Sequence, residues 1–347
     1  MSSVLGIDVG GTKVAVAAVE GGLIRHAAEH PTVLSSPEAL LRGIETAVRE
    51  VASEAGEARA IGIGVPSQVE FATGTVLASV NIPLAGVPLR QELGARLGAP
   101  VYVDNDANCA ALAEAQLVPD PPASHLVMLT LGTGVGGGVI IDGRIFRGAG
   151  GLGGELGHVV IDGDAEAEQP EGEFPRPGSL EWLCSGRGLE REATRRARAE
   201  PDGGLGRLNA EKGRVSGRDA VALAQGGDEG ARELFKWHGR WLGRGIAGVV
   251  NTFEPRHVVI GGGLSRAADL FLDAARAEAT RWALPALWQR ASLGLARGGA
   301  EAGVIGAGLL AEQELTRTGD TASLPDDSRT SIRVDESARR RQKEGDR

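Results

Sequence analysis

The chain is poor in the residues that mark secreted, membrane-bound or nucleic-acid-binding proteins. It has only two cysteines, Cys109 and Cys184, in 347 residues, which argues against a disulfide scaffold and favours a reducing compartment. Its net charge of -9 leaves no excess of positive charge for nucleic-acid phosphates or an anionic membrane surface. No apolar run reaches the roughly 18 residues of a membrane span, and no signal-type leader opens the chain. We therefore expect a cytoplasmic protein that binds neither nucleic acid nor membrane.

Glycine, by contrast, is abundant. The chain has 53 glycines, about twice the usual share of roughly 7%. Many of them cluster in four segments, VGGTK, GTGVGGG, GAGGLGGELG and VIGGG. Glycine allows positive φ angles and a close approach of the backbone to a ligand. Because the clusters follow predicted strands, they favour a ligand enclosed by backbone over a general bias towards turns.

Apolar periodicity predicts an α/β fold in which one unit is used twice. Strands and helices alternate at first, with strands over Val4–Val9, Lys13–Glu20, Ile61–Val65 and Val101–Val103 and helices over Pro37–Ala55, Val87–Leu97 and Asp106–Leu117. The pattern then starts again with a strand over His125–Leu131, the turn GTGVGGG and a strand over Gly138–Ile141. Since Gly11-Thr12 and Gly132-Thr133 each follow an apolar strand, the sequence indicates a repeated unit.

The rest of the chain is predicted to be mostly helical and to end in a charged tail. The predicted helices are Ser216–Ala224, Glu229–Val250, Ala267–Trp282 and Gly303–Leu315, with one strand over His257–Ile260. From Thr316 the apolar periodicity is lost and Asp, Ser, Arg and Glu dominate. We expect residues 318–347 to be disordered, because such a composition buries too little apolar surface to fold.

Three glycine turns at strand ends are candidate phosphate-binding sites. Backbone N–H groups exposed by such turns can cradle phosphate oxygens. A carboxylate beside them, Asp8, is suited to hold Mg²⁺ through water. The spacing matches neither a Walker A loop nor the GxGxxG dinucleotide motif. The candidate nucleotide-binding residues are Asp8, Gly10, Gly11, Thr12, Lys13, Thr133, Gly134, Gly262 and Gly263.

Polar residues after the strand Val101–Val103 are candidates for chemistry on a hydroxyl group. One acid of the segment DNDAN can cap the helix that follows, but the remaining polar residues exceed what a cap needs. Asp106 is ionised at neutral pH and is placed to accept a proton from a substrate hydroxyl as a general base. The polar residues suited to bind the hydroxyls of a sugar are Asn81, Asn105, Asp106, Glu155, His158 and Glu181.

In the order and spacing of these motifs, the chain resembles the ROK-family sugar kinases of the glucokinase type over residues 5–315. The matching segments are DVGGTK, GVP, NIP, DNDAN, LGTGVGGG, GELGH, SLEWLCSG and VIGGG. The resemblance implies an actin-like ATPase fold, a duplicated RNase H-like unit in two lobes. It implies a small lobe of residues 1–118 with the helix 303–315, a large lobe of residues 119–302, and a homodimer or homotetramer.

The same resemblance implies the reaction and the roles of the candidate residues. It implies transfer of the γ-phosphoryl group of ATP, with Mg²⁺, to a hexose, usually glucose at its 6-hydroxyl. Asp106 matches the family's base, and Asn105, Glu155, His158 and Glu181 match its sugar contacts. The three glycine turns match the family's nucleotide segments.

One departure from the family concerns zinc. The family usually follows GELGH with a CxCGxxGC cluster that binds a structural zinc together with the histidine. Here Phe174 and Ser179 stand near two of the cysteine positions, and only His158 of the ligands remains. Because a structural zinc needs four ligands as a rule, we predict that zinc is absent. His158, if it is a sugar contact rather than a core histidine, then needs Asp162, Glu173 or a backbone carbonyl to fix its tautomer.

Other functions remain open at this point. N-acetylglucosamine or N-acetylmannosamine kinases and polyphosphate glucokinases share the motifs. A sugar-binding regulator without catalysis is disfavoured because Asp106 and the phosphate turns are both present. A DNA-binding repressor of the family is disfavoured because Asp8 lies too near Met1 to leave room for a DNA-reading domain.

Overall fold

The computed structural model describes residues 3–118, 123–165, 170 and 172–321, and these residues have the mixed α/β composition that the sequence predicts. In chain order, the described part of the first half contains β1 (Val4–Val9), β2 (Lys13–Glu20), β3 (Leu23–Pro31), α1 (Pro37–Ala55), β4 (Ile61–Val65), β5 (Ser67–Glu70), β6 (Thr75–Ser79), α2 (Leu89–Leu97), β7 (Val101–Asn105) and α3 (Asp106–Leu117). The predicted strands and helices of this half are therefore confirmed, with small shifts at their ends.

The second half adds another sheet and most of the helices. Its described elements are β8 (Leu126–Leu131), β9 (Val135–Ile141), β10 (Arg144–Ile145), α4 (Leu180–Cys184), α5 (Gly186–Ala199), α6 (Gly204–Lys212), α7 (Gly217–Gln225), α8 (Glu229–Phe253), β11 (His257–Gly261), α9 (Leu272–Trp282), α10 (Pro285–Trp288), β12 (Ser292–Leu295) and α11 (Ala302–Thr321). Short 3₁₀ helices cover Leu156–His158, Gly263–Leu270 and Gly299–Glu301. None of the described helices is both long and apolar enough to cross a membrane.

Two sheets have the same strand order and the same strand directions. The first runs β3-β2-β1-β4-β7 and the second β10-β9-β8-β11-β12. In each sheet the central strand pairs antiparallel with the strand that follows it and parallel with a later one, β4 or β11. Each sheet also contributes to its own apolar core. This repetition confirms the prediction that one unit is used twice.

The last helix, α11, returns to pack on the first sheet. Gly6 of β1 and Gly62 of β4 make room for it: a Cβ on Gly6 would lie 2.0 Å from the carbonyl oxygen of Val304, and one on Gly62 would lie 1.8 Å from that of Ala307. Only glycine tolerates so close an approach of two backbones. This packing supports assigning the helix 303–315 to the same lobe as residues 1–118, which we retain as a proposal.

The glycine run of GTGVGGG is mostly strand, so this strand begins earlier than Gly138, where it was predicted to begin. Only residues 132–134 form a turn, and β9 begins at Val135. A Cβ on Gly138 would lie 2.5 Å from Cβ of Ala111 and 2.6 Å from the carbonyl oxygen of Ala107. The glycines of β9 are therefore needed because α3 lies directly on this strand.

Two predictions near the carboxyl end are also corrected. The predicted helix Ala267–Trp282 is broken at Phe271, where φ is -135°, because the ring of Phe271 turns into the core. The last helix continues to Thr321 instead of ending at Leu315 as predicted, so it includes the first four residues of the predicted tail. The predicted tail beyond Thr321 lies outside the described residues.

Candidate active site

The six candidate sugar-binding residues line one cleft. The cleft has a volume of about 460 Å³, within the usual range of roughly 300–1,000 Å³ for small-molecule sites. It lies at the carboxyl ends of β4, β7 and β8, where parallel strands of both sheets stop. The residues that the fold brings together there are Asn81, Asn105, Asp106, Glu155, His158 and Glu181.

Asp106 stands at the first position of α3, directly after β7. The cap of this helix is Asn105 and not an aspartate: its Oδ1 accepts from the backbone N–H of Ala107 at 2.8 Å and of Asn108 at 3.3 Å. Burial raises the pKa of Asp106, and hydrogen bonds from the Ala107 N–H and the Asn105 side chain oppose that rise. The carboxylate is therefore more basic than an exposed aspartate but held in a fixed position by its neighbours.

Glu155 and Glu181 approach Asp106 from the second half of the chain. Burial raises the pKa of Glu155; His158 lowers it, and the charges of Glu181 and Asp106 raise it further. Glu181 Oε2 accepts a hydrogen bond from the N–H of Val135 at 2.8 Å. A Cβ on Gly134 would lie 2.6 Å from the same oxygen. Glu181 thus contacts the Gly-Thr turn as well as lining the cleft.

The first candidate phosphate turn closes the hairpin between β1 and β2. The N–H of Gly10 donates to the carbonyl of Lys13 at 2.8 Å, and a Cβ on Gly11 would lie 4.0 Å from the carbonyl oxygen of Asn81. The turn therefore borders the cleft. Lys13 itself pairs with Glu29 on the neighbouring strand.

The other two turns meet each other beside the cleft. The turn Gly132–Gly134 is closed by a 2.9 Å hydrogen bond, and the carbonyl of Gly132 accepts from the N–H of Gly186 at the start of α5. Gly262 has φ of 82° and packs so closely on Leu131 that a Cβ would lie 2.4 Å from its carbonyl oxygen. Of the two turns, Gly134 and Gly262 are candidate residues that line the cleft.

Asp8 is a chemically suitable ligand for Mg²⁺. Burial, followed by the charge of Asp106, raises the pKa of Asp8 to about 6, while Lys13 lowers it. A carboxylate whose pKa is raised by burial and by a neighbouring carboxylate is stabilised in its charged form by a divalent cation beside it. Mg²⁺ is typically held by one or two carboxylates, waters and substrate phosphates. The residues present therefore fit this metal.

Comparison with known proteins settles the family. The family model described as "ROK family" matches residues 4–314.

The chain belongs to the ROK family.

Among related ROK proteins, the glucokinase of Streptomyces coelicolor is 35% identical over 323 residues, which cover 90% of this chain and 98% of that protein. The N-acetylmannosamine kinase of Salmonella typhimurium is 34% identical over 316 residues, 89% of this chain and 98% of that protein. A solved structure of a ROK glucokinase from Streptomyces griseus, in complex with glucose and AMPPNP, has 32% identity and a TM-score of 0.70, and the match covers 90% of this chain and all of that one, 100%. The fold is thus the two-lobed actin-like ATPase fold of the ROK family.

The ring of His158 lies beside Glu155 and Phe174 and not beside the partners that were expected to fix its tautomer. Its Nε2 lies 3.9 Å from Glu155 Oε2, and its ring stands edge-on to Phe174 with centroids 5.4 Å apart. Asp162 instead accepts from the N–H of Asp164. None of the three expected partners, Asp162, Glu173 or a backbone carbonyl, hydrogen-bonds to the ring among the described residues.

Ser179, near a cysteine position of the ROK family, has a structural role of its own. Its buried Oγ accepts from the N–H of Trp182 at 3.2 Å and caps α4, the helix that carries Glu181. Within the described residues no group of three or more His, Cys, Asp and Glu side chains is placed to hold a metal. The absence of structural zinc itself stays a prediction.

Some residues around the cleft were not among the sequence-based candidates. The hairpin β5–β6 contributes Ser67 and Gln68 to the lining of the cleft. The sequence contained no indication of this hairpin beyond Pro66, which ends β4. Asn108 donates from Nδ2 to Asp104 Oδ1 at 2.8 Å; both lie in the DNDAN segment, whose surplus of polar residues was the available signal. Arg147 contacts Asp104 as well, and nothing in its sequence context indicated this.

Proposed function

We propose that this chain is an ATP-dependent hexokinase that transfers the γ-phosphoryl group of ATP to the 6-hydroxyl of glucose. The observation that carries the proposal is the convergence of Asp106, on the first turn of α3, with the five other polar candidates in one cleft. The glycine turns of both sheets border the same cleft. A related ROK glucokinase of similar sequence, solved with glucose and AMPPNP, supports this choice of substrates.

In the proposed mechanism Asp106 removes the proton of the attacking hydroxyl. Its raised pKa makes it a stronger base than a free aspartate, and general-base help of this kind is typically worth about 10²–10⁴-fold in rate. Asn105 holds the helix end that carries it. Asn81, Glu155, His158 and Glu181 would orient the remaining hydroxyls, so that the 6-hydroxyl faces the phosphates.

Phosphoryl transfer depends mostly on positioning and on neutralising charge. The N–H groups of Gly11, Thr12, Thr133 and Gly134 would hold phosphate oxygens, since those of Gly10 and Gly132 already donate within their turns. Asp8 would hold Mg²⁺ through water. When bound, Mg²⁺ supplies the charge neutralisation that the phosphates need. Closure of the two lobes over the sugar would exclude water, which otherwise competes as the acceptor.

The identity of the sugar is the part of the proposal for which the comparisons favour a specific alternative. The similarity to an N-acetylmannosamine kinase is almost as high as that to the glucokinase. N-acetylmannosamine and N-acetylglucosamine are therefore the alternative acceptors, and polyphosphate is the alternative donor.

We further propose a cytoplasmic homodimer or homotetramer. The buried, unpaired state of Cys109 and Cys184 supports the compartment, and light scattering would test the oligomer.

The test is ADP release from Mg²⁺-ATP by EDTA-treated protein, with glucose, mannose, fructose, N-acetylglucosamine and N-acetylmannosamine in parallel. We expect glucose to give the highest kcat/KM, and the treated protein to keep its activity because no zinc is needed. A higher kcat/KM with an N-acetylated sugar would show that this sugar, and not glucose, is the acceptor. Turnover only with polyphosphate would replace the donor, and sugar binding without turnover from either donor would favour a regulator.

A further inference from the structure

Arg147 lies between β10 and the glycine-rich segment 148–154 that leads to Glu155. Its side chain is only 17% exposed, although arginine is almost never buried in proteins unless it is paired. The nucleotide and sugar candidates do not include it. Its surroundings show what it is paired with.

The guanidinium of Arg147 is held first by Asp104. Arg147 Nε donates to Asp104 Oδ2 at 2.6 Å, and the Asp104 side chain is 3% exposed. The other oxygen of Asp104 accepts from the N–H of Asn105 and from Asn108 Nδ2, both at 2.8 Å. Asp104 therefore joins Arg147 to the end of β7 and to the first turn of α3, the two elements that place Asp106.

Two further contacts come from other parts of the first half and from α11. The guanidinium carbon of Arg147 lies 3.6 Å from the centroid of the Phe71 ring, a cation–π geometry that favours the planar guanidinium over an ammonium. Its Nη1 lies 3.6 Å from Glu314 Oε1 on α11, and the Glu314 side chain is 8% exposed. One side chain of the second half thus contacts three parts of the structure: β7 of the first sheet, the turn between β5 and β6, and the helix α11.

The backbone around Arg147 connects these contacts to the sugar-binding residues. The N–H of Gly153 donates to the carbonyl of Arg147 at 2.8 Å, which closes the segment into a compact loop. Gly151 packs against the end of β5, since a Cβ there would lie 2.9 Å from the carbonyl oxygen of Val69 and 2.7 Å from the nitrogen of Phe71. The last residues of the loop, Gly151–Glu155, line the cleft.

We propose that Arg147 is a positioning residue, which fixes the loop 148–154 to the β7–α3 junction and so sets Glu155 and His158 at the correct distance from Asp106. The proposal rests on the proposed sugar-kinase function and adds a residue that acts through others. It explains why an arginine and an aspartate are buried together here. Loss of the guanidinium leaves Asp104 buried without its charged partner and frees the loop.

The first test compares Arg147→Met with wild type. A displacement of about 1 Å in a positioning element can cost on the order of 10²-fold in rate. We expect the KM for the sugar to rise at least about tenfold and kcat to fall, while the KM for ATP changes little because the nucleotide turns lie elsewhere. Arg144→Met, the same change at an exposed arginine of β10, is the control and should behave as wild type.

Two further variants separate positioning from general damage. Arg147→Lys keeps the charge but not the planar contact with Phe71, so it should recover part of the sugar KM. The double variant Asp104→Asn with Arg147→Met leaves no unpaired buried charge, and should therefore unfold at a higher temperature than Arg147→Met alone. Its sugar KM should stay raised, because the link to the loop is still missing.

Hydrogen exchange provides a readout that does not depend on turnover. Backbone amides of residues 148–157 should exchange faster in Arg147→Met than in wild type or Arg144→Met. If wild type phosphorylates no sugar, the proposed function fails, and this exchange measurement alone decides the positioning role. An unchanged sugar KM together with unchanged exchange in this loop would overturn the proposal, and so would an equal loss of affinity for ATP and sugar.

Discussion

At the scale of single residues, the buried histidine His238 takes no part in the proposed chemistry but affects stability. His238 lies on α8, fully buried, with no hydrogen-bond partner for either ring nitrogen in the described structure. Its ring stands edge-on to Phe271 with centroids 5.0 Å apart. Burial lowers the pKa of His238 from 6.5 to about 4. The folded protein therefore holds this histidine neutral, whereas the unfolded chain binds a proton below pH 6.5.

This difference predicts a loss of stability in acid that comes from His238. Since the unfolded state takes up the proton first, the free energy of unfolding should fall as the pH drops from about 6.5 towards 4, by about 2 kcal/mol at pH 5. His238→Leu should remove that part of the pH dependence in urea unfolding at pH 7 and pH 5. The exposed His26→Leu is the control. An equal decrease in wild type and His238→Leu would contradict the assignment.

The place of a residue in the fold could be predicted from the sequence where the local pattern of strand and helix decides it. Asp106 and Asn105 could be identified because a strand ends directly before them and a helix begins. The surroundings of His158 could not, because Phe174 reaches it through the fold of a loop. Arg147 could not be identified either, because its partner Asp104 is distant in sequence and nothing local marks a buried pair.

At the scale of elements, prediction succeeded where one face of a helix is strongly apolar. The bounds of α1 were predicted as Pro37–Ala55 and are observed there, because Ser36 caps the helix and six apolar residues fill one face. The helix α5 was missed, since its buried stripe consists mainly of Leu189, Ala193 and Ala197 among arginines. Residues 135–137 of β9 were taken as part of a turn, because the packing of α3 that requires glycines in this strand depends on tertiary structure.

That packing gives a prediction for Gly138. Gly138→Ala places a Cβ 2.5 Å from Cβ of Ala111, and overpacking of this kind typically costs about 1–3 kcal/mol. We expect urea unfolding to show a loss of this size, together with reduced activity because α3 carries Asp106. The control is Gly294→Ala on β12, where a Cβ would meet no atom within 4 Å. Equal free energies of unfolding for the two variants would contradict the close packing of α3 on β9.

At the scale of the whole molecule, the repeated sheet explains why the candidate residues converge. Parallel strands of both sheets end at the same cleft, so residues that follow β7 and β8 meet although they are distant in sequence. The sequence indicated the repetition from two Gly-Thr turns. Only the resemblance to the ROK family indicated that the last helix belongs with the first sheet, because Gly6 and Gly62 carry no local sign of what packs on them.

The central claim is that Asp106 is the base of a sugar kinase, and Asp106→Asn tests it most directly. Asparagine keeps the size and most hydrogen bonds of the side chain but cannot accept the proton. The variant should lose on the order of 10²–10⁴-fold in kcat with glucose, while glucose affinity, measured by calorimetry, stays near that of wild type. Asp142→Asn, at an exposed turn position whose φ of 52° asparagine accepts readily, is the matched control. A variant that keeps more than about a tenth of the wild-type rate, well above the residual expected without a base, would contradict the account.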